Sequence, residues 1–214
     1  MSRFQIIEAE QRSFEWREVR AGRATGSKAD CVLAKIKTGE AAMRRNYRTQ
    51  LVAELLTGRP QDDCFVSKEM LRGIELEPMA RAAYETQTGY LVRETGFLSM
   101  NEHLAGCSLD GDIDEFTGLV SFKCPNSANH VEYLRRRRLP PEYVPQATHE
   151  MWVTGAQWYD FCSFDDRFPE HLQLLIVRVE RNEFDIAGYE TELLRFLAEV
   201  QKEHDELKAL RVAA

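Results

Sequence analysis

Hydrophobic residues recur at helical spacing in the first half of the chain and again at its end. In residues 46–57 the apolar side chains repeat at i, i+4, and Gly58 offers a helix C-cap. Residues 67–88 predict a helix that starts at the cap Ser67 and that Pro78 either kinks or divides in two. The C-terminal segment predicts an amphipathic helix with the apolar positions Leu193, Leu194, Leu197, Val200, Leu207 and Leu210.

The middle of the chain changes to the spacing of β-strands. Residues 115–118 predict a turn, and a helix is predicted near residues 142–154. We expect the strand at 157–164 to be half-buried and the strand at 172–180 to be central, because the latter is a nearly continuous apolar run. The predicted strands are residues 90–98, 104–114, 119–124, 157–164 and 172–180.

Helices followed by strands, then a helix and more strands, predict an α/β protein with a central mixed sheet flanked by helices. We find no repeat, low-complexity tract or linker, so residues 1–214 are expected to form a single domain. No segment approaches the roughly 18 apolar residues that span a bilayer, and no membrane association is expected. The N-terminus lacks the apolar region of a signal peptide, which predicts a cytoplasmic protein of a bacterium or a phage-infected host.

Charge is unevenly distributed along a chain whose formal net charge is −7. Arginines and lysines crowd the N-terminal quarter, and Arg135 to Arg138 form a second cluster, while acidic residues dominate the C-terminal third. This asymmetry is compatible with a basic groove for nucleic acid on an acidic body, or with ordinary solvated helix faces. The five cysteines form no C-x-x-C pair, so neither a disulfide framework nor a zinc knuckle is predicted.

The stretch with the clearest chemistry is residues 107–125. If its two strands pair through the turn, Asp110 comes near residues 121–123, and Ser121 and Lys123 share one face because side chains alternate. Phe122 then points into the core and leaves its carbonyl available to the site. A hard cation prefers carboxylate and carbonyl oxygens, and a neighbouring lysine can orient water and offset charge. An Asp followed by Glu-x-Lys would supply these parts for phosphodiester hydrolysis, but the acid is Ser121 here.

Two other metal motifs fail at defined positions. Asp110, Asp112 and Asp114 have the opening spacing of an EF-hand loop, but its sixth and twelfth positions hold Glu115 and Ser121. The pair His149-Glu150 has no second histidine four residues after the first, so it is not a zinc-protease motif. These two kinds of site are therefore excluded.

Several stretches, in conserved order over residues 11–181, together resemble the lambda exonuclease family. This family comprises the YqaJ-like viral recombinases of the restriction-endonuclease-like nuclease superfamily. The resemblance implies a restriction-endonuclease-like core. The matching residues are Trp16, Arg20, Gly22, Thr25 and Ser27, then Gly73, Glu77, Ala80 and Arg81, then Cys107, Ser108, Asp110 and Gly111, then Lys123, Cys124 and Pro125, and finally Gln146 with Met151 to Thr154.

The resemblance also implies roles for individual residues. A Mg²⁺ site, with Mn²⁺ as an alternative, would use Asp110, the side chain at Ser121, the Phe122 carbonyl and Glu77. Lys123 would orient or deprotonate the attacking water, with Gln146 assisting. Arg20, Ser27 and Ser108 match positions that hold the 5′-phosphate of a DNA end. Taken alone, Arg20 is a surface charge, Ser27 a helix N-cap for residues 28–36, Glu77 a helix-face acid and Gln146 a solvated helix residue.

The implied function is a metal-dependent 5′→3′ exonuclease on double-stranded DNA that leaves 3′ single-stranded overhangs. The resemblance further implies a homotrimeric ring around DNA and a single-strand annealing recombinase as partner. Ser121 departs from the family because a neutral, shorter side chain cannot replace a carboxylate ligand. We therefore expect this chain to be nearly inactive yet to bind DNA ends, whether the serine is engineered or natural. The alternatives are a non-catalytic DNA-end-binding module and a related endonuclease or single-strand nuclease.

Overall fold

Two four-stranded mixed sheets carry the fold, and the longer helices pack around them. The computed structural model describes residues 2–61 and 67–210. Across the first sheet the strands are β1 (Phe4–Ile7), β3 (Phe97–Met100), β4 (Ala105–Cys107) and β2 (Ala24–Thr25). Across the second they are β5 (Gly111–Ile113), β6 (Gly118–Lys123), β7 (Trp158–Phe164) and β8 (Leu174–Glu180). The predicted mixed α/β class is confirmed, with two sheets in place of one central sheet.

Helices alternate with these strands along the chain. Short 3-10 turns precede α2, α6 and α8, at Gly26–Lys28, Pro141–Tyr143 and Arg181–Glu183. In chain order the α-helices are α1 (Phe14–Arg20), α2 (Ala29–Leu33), α3 (Ala42–Thr57), α4 (Lys68–Thr88), α5 (Ser127–Arg136), α6 (Val144–Thr154), α7 (Glu170–Gln173) and α8 (Ile186–Lys208). In the described part of the chain, none of them is long and apolar enough to cross a membrane.

The strongest helix predictions are confirmed. The predicted helix 46–57 starts earlier, at Ala42, and ends at Gly58, whose φ of 65° is the left-handed conformation of a glycine cap. Ser67 caps α4 by accepting a hydrogen bond from the Met70 amide. Pro78 lies inside α4, which continues as one helix to Thr88 rather than dividing in two. The amphipathic C-terminal helix is α8.

Two strand predictions need correction. The predicted strand 104–114 is two strands, because the chain leaves the first sheet after Cys107 and enters the second at Gly111. The predicted strand 90–98 begins only at Phe97, and the preceding segment makes a single bridge, between Arg93 and Asp112. The sequence pattern thus predicted β-structure in both segments. It could not show where one strand ends and the next begins, because that depends on which strands pair in the folded protein.

The expected burial of the last two strands was also wrong. β7 lies between β6 and β8 and is almost completely buried, whereas β8 forms the edge of the sheet. Both faces of β7 enter the core, Phe161 on one side and Cys162 on the other. Asp160, the acidic residue of this strand, is buried as well, and its carboxylate accepts hydrogen bonds from Tyr84 and Arg178.

The core has two parts, and the second sheet contributes to both. The larger part joins this sheet and the first sheet to α2, α3, α6 and α8. The smaller part lies between the second sheet and α4. Cys31, Cys107 and Cys162 are buried free thiols and Cys124 is a half-buried one, while Cys64 lies outside the described residues.

Candidate active site

Strand pairing places Asp110 beside Ser121. β5 and β6 are antiparallel with Gly111 opposite Val120, so the residue before β5 faces the residue after Val120. One carboxylate oxygen of Asp110, Oδ2, accepts hydrogen bonds from the Ser121 hydroxyl at 2.8 Å and from the Phe122 amide at 2.9 Å. Asp110 is thereby fixed just before the start of β5, beside the part of β6 that continues past it.

Lys123 joins the same gap. Its Nζ atom is 3.6 Å from Asp110 Oδ2, and both side chains are about one-fifth exposed. The Phe122 side chain points to the opposite side, where its ring meets that of Tyr84 edge to face at 5.9 Å between centroids. The structure therefore brings Asp110 and Lys123 together on the side of β6 where they were expected.

The charge on Lys123 is stabilised by acidic neighbours. Burial by itself lowers the pKa of this ammonium, but the negative charges of Asp110 and Glu150 outweigh that effect, and the net pKa is raised. The ring of Tyr143 lies 5.6 Å from Nζ, a cation–π contact. The resting site therefore holds Lys123 as a cation among carboxylates.

Glu77 approaches this gap from α4. Arg12 and Arg81 lie 3.8 Å and 3.7 Å from its carboxylate oxygens. Burial, followed by repulsion from Asp110, raises the pKa of Glu77. A cleft of about 370 Å³ has Glu77, Asp110, Phe122 and Lys123 in its wall. A second cleft of about 390 Å³ shares Arg12, Glu77 and Asp110 with the first, so the two clefts meet at these side chains.

Gln146 and Glu150 reach the site from α6. Gln146 Nε2 donates a hydrogen bond of 2.8 Å to Glu150 Oε1. Glu150 is only 3% exposed, and burial followed by repulsion from Asp110 raises its pKa to about 7. Hydrogen-bond interactions of the Tyr159 side chain extend to both Ser121 and Glu150.

Sequence patterns did not single out Glu150 or Tyr159 as site residues. One signal was available for Glu150, because it lies four residues after Gln146 and so shares its helix face. No comparable signal marked Tyr159, since aromatic residues in a buried strand usually belong to the core.

The three residues matched to 5′-phosphate binding lie near the edge of the first sheet. The Arg20 guanidinium stacks 3.7 Å from the centre of the Trp16 ring, and Trp16 Nε1 donates a 2.8 Å hydrogen bond to Ser108 Oγ. β2 and β4 run parallel with Thr25 opposite Gly106, so Ser27 and Ser108 both follow the same ends of paired strands. Trp16 thus links Arg20 to Ser108.

The structure also shows the surroundings of Ser27, of two tryptophans and of the second arginine cluster. Ser27 is exposed and does not cap a helix, because α2 starts at Ala29 with Lys28 at the cap position and no side-chain cap bond. Trp152 is core, at 1% exposure, whereas Trp16 is only half-buried. The cluster Arg135 to Arg138 is fully on the surface at the end of α5.

The oxygen-rich donor set fits a hard cation such as Mg²⁺ in chemistry. Asp110 and Glu77 lie in the wall of the cleft and Glu150 is a buried carboxylate that interacts electrostatically with Asp110, with no cysteine or histidine among the predicted ligands. Over residues 2–61 and 67–210, however, no three His, Cys, Asp or Glu side chains are close enough together to hold a metal ion. A cation would therefore have to draw the carboxylates inward from these positions.

Comparison with known proteins identifies the family of this chain. Residues 15–157 match the model of the YqaJ-like viral recombinase domain. The chain belongs to this family. The resemblance predicted from the motifs is therefore confirmed, and the matched region contains Asp110, Lys123 and Gln146. No curated protein matches the chain.

Solved structures extend the family relationship over most of the chain. LHK-Exo, an alkaline exonuclease from Laribacter hongkongensis, is 39% identical, and the match covers 92% of this chain and 96% of that one with a TM-score of 0.80. Its complex with dAMP matches over the same shares with a TM-score of 0.81. A phage-related exonuclease from Haemophilus somnus 129PT is 14% identical with a TM-score of 0.66, over 87% of this chain and 95% of that one, and shares the fold.

Proposed function

We propose that this YqaJ-family protein is a Mg²⁺-dependent 5′→3′ exonuclease of double-stranded DNA that leaves 3′ single-stranded overhangs. The observation that carries the proposal is the convergence of Asp110, Lys123 and the C-terminal end of β6 on one wall of a cleft. The family relationship and the 39% identity to an alkaline exonuclease support a nuclease. The complex of that relative with dAMP, a mononucleotide, supports release of single nucleotides.

The residues around the gap have complementary tasks in this proposal. Asp110, Glu77 and the Phe122 carbonyl would hold Mg²⁺, or Mn²⁺ in its place, at the wall of the cleft. The bound cation would supply Lewis-acid charge for the phosphoryl oxygens. Lys123, held as an ammonium, would orient the attacking water and offset negative charge, and Gln146 would hold Glu150 on α6 through its hydrogen bond.

The DNA end would bind beside this gap. Arg20, held against the Trp16 ring, together with Ser27 and Ser108, would grip the 5′-phosphate through charge-assisted hydrogen bonds. Binding of the 5′-phosphate would make the activity depend on a free DNA end. We propose further that three copies form a ring around the DNA and that a single-strand annealing recombinase receives the 3′ strand.

A second function is favoured by one observation, Ser121. The serine hydroxyl donates to Asp110 and brings no negative charge to the gap, as a glutamate would. A chain without that charge would be nearly inactive and would act as a DNA-end-binding module. We expect near-inactivity only if no other carboxylate binds the cation in place of the glutamate that position 121 lacks.

The experiment compares the chain with its Ser121→Glu variant on a linear duplex that carries a labelled 5′-phosphate. We expect Mg²⁺-dependent release of labelled mononucleotides from at least one of the two, and none after Asp110→Asn is added. A circular duplex should stay intact, because the proposed enzyme acts from ends.

Three outcomes would contradict the proposal. Digestion by neither form would leave an end-binding module, provided that both bind the duplex end. Cleavage of the circle would identify a related endonuclease instead. Digestion that is unaffected by Asp110→Asn would remove Asp110 from the site.

A further inference from the structure

A buried glutamate lies next to the position where the site lacks a carboxylate. Ser121 is 1% exposed and Glu150 is 3% exposed, so both are enclosed in the same interior. The Tyr159 side chain has hydrogen-bond interactions with both of them. Glu150 is therefore separated from Ser121 by a single side chain.

An acid of this kind is costly to bury unless charges or hydrogen bonds compensate for the lost water. Gln146 donates one hydrogen bond to Glu150 from the preceding turn of α6. The charged side chains that act on Glu150 are Asp110, which repels it, and Lys123, which attracts it. When both are ionised, the buried carboxylate of Glu150 and the partly exposed one of Asp110 outweigh the single ammonium, and a divalent cation would neutralise the excess negative charge.

The surroundings also restrict where the Glu150 carboxylate can lie. Gly26 faces it, and a Cβ atom built on Gly26 would be 3.3 Å from Glu150 Oε1 and 3.5 Å from Gln146 Cγ. A side chain at position 26 would thus crowd the carboxylate. Ser121 itself carries only a small, neutral side chain, and its hydroxyl donates to Asp110.

We infer that Glu150 supplies, from α6, the metal-binding carboxylate that Ser121 cannot supply from β6. This inference rests on the proposed function, whose site it completes. The acid stands on a different element, but its electrostatic interactions with Asp110 and Lys123 place it beside the same pair of side chains. The chain as it stands then binds its cation and digests DNA, and the near-inactivity expected from Ser121 does not occur.

The test measures Mn²⁺ binding by isothermal titration calorimetry, without DNA and independently of activity. Glu150→Gln keeps the shape and removes the charge, and we expect it to weaken Mn²⁺ affinity by about tenfold or more. Glu190→Gln is the matched control, because Glu190 accepts a hydrogen bond from Trp152 far along the chain in α8. This control should bind Mn²⁺ as the unmodified protein does.

A second variant separates a ligand from a merely structural acid. The exchange of the two residues, Ser121→Glu combined with Glu150→Ser, returns the carboxylate to β6 and removes it from α6. We expect the exchange variant to bind Mn²⁺ within about threefold of the unmodified chain and to digest a 5′-phosphorylated duplex, since it restores one carboxylate to the gap. It also serves as the test if Glu150→Gln does not fold.

The outcomes distinguish the two levels of the proposal. If Asp110→Asn weakens Mn²⁺ binding and Glu150→Gln does not, the role of Glu150 is refuted while the proposed site stands. If Glu150→Gln weakens binding but the exchange variant fails to recover it, Glu150 acts structurally and the inference is wrong. If neither Asp110→Asn nor Glu150→Gln changes binding, the proposed metal site itself is wrong.

Discussion

Replacement of Asp160 by alanine should destabilise the second sheet by an amount that the structure allows us to work out. Asp160 is 1% exposed in β7 and accepts hydrogen bonds from the Tyr84 hydroxyl at 2.7 Å and from Arg178 at 2.8 Å. Asp160→Ala leaves the Tyr84 hydroxyl, in a residue that is 0% exposed, without this partner, which costs about 1–3 kcal/mol.

The second partner contributes less. The Arg178 side chain is 36% exposed and stacks 3.6 Å from the centre of the Trp158 ring, so water can still solvate its guanidinium. We assign its loss about 0–1 kcal/mol, the usual range for exposed ion pairs. The free energy of unfolding should therefore fall by about 1–4 kcal/mol in Asp160→Ala, with most of the loss due to Tyr84.

The assay is equilibrium unfolding in urea, followed by circular dichroism, for Asp160→Ala, Tyr84→Phe and the double variant. In the Tyr84→Phe background no hydroxyl remains to be left unpaired, so Asp160→Ala should cost about 1–2 kcal/mol less than in the unmodified chain. An equal cost in both backgrounds would refute this account, as would a total loss below about 1 kcal/mol.

Three further predictions concern separate regions. Arg20→Ala should lower the preference for 5′-phosphorylated over 5′-hydroxyl ends by about tenfold to a hundredfold, measured as a ratio of dissociation constants, and an unchanged ratio would exclude Arg20 from phosphate binding. Burial raises the pKa of Asp165, but hydrogen bonds from Arg167 outweigh this effect. They hold the pKa well below its ordinary value of 3.8. The stability that Asp165 contributes is thus complete above that value and is lost as the pH falls below it, so urea midpoints at pH 5 and pH 3 should differ less in Asp165→Asn than in the unmodified chain. A Cβ atom at Gly118 would lie 2.0 Å from Trp158, so Gly118→Ala should lose about 1–3 kcal/mol in thermal or urea unfolding, and a neutral result would mean that the ring shifts freely.

The sequence was sufficient to predict the centre of the site because its geometry is local. A turn between two strands sets Asp110 opposite Ser121, and alternation along β6 then puts Ser121 and Lys123 on one face. Gln146 was placed near the site by its family motif.

Other features depend on tertiary contacts that a linear pattern does not contain. Residues 104–114 were predicted as one strand, but pairing with different partners divides them between two sheets. The order of β7 and β8 was wrong because a linear pattern does not show which strand lies between two others, nor that Asp160 is buried against Tyr84 and Arg178. Glu150 was not predicted as a site residue, because its electrostatic interactions with Asp110 and Lys123 arise only when the chain folds.

The break between Cys107 and Gly111 has a mechanical consequence. Asp110 belongs to the segment that joins the two sheets, whereas Lys123 is anchored in the second sheet by its pairing with Ser163 of β7. Because Asp110 is also bonded to Ser121 and Phe122 of β6, a small displacement of one sheet relative to the other would leave its spacing to Lys123 unchanged. Such a displacement would instead shift Ser108, which is bonded to Trp16 on the other side of the joint, relative to the reacting groups.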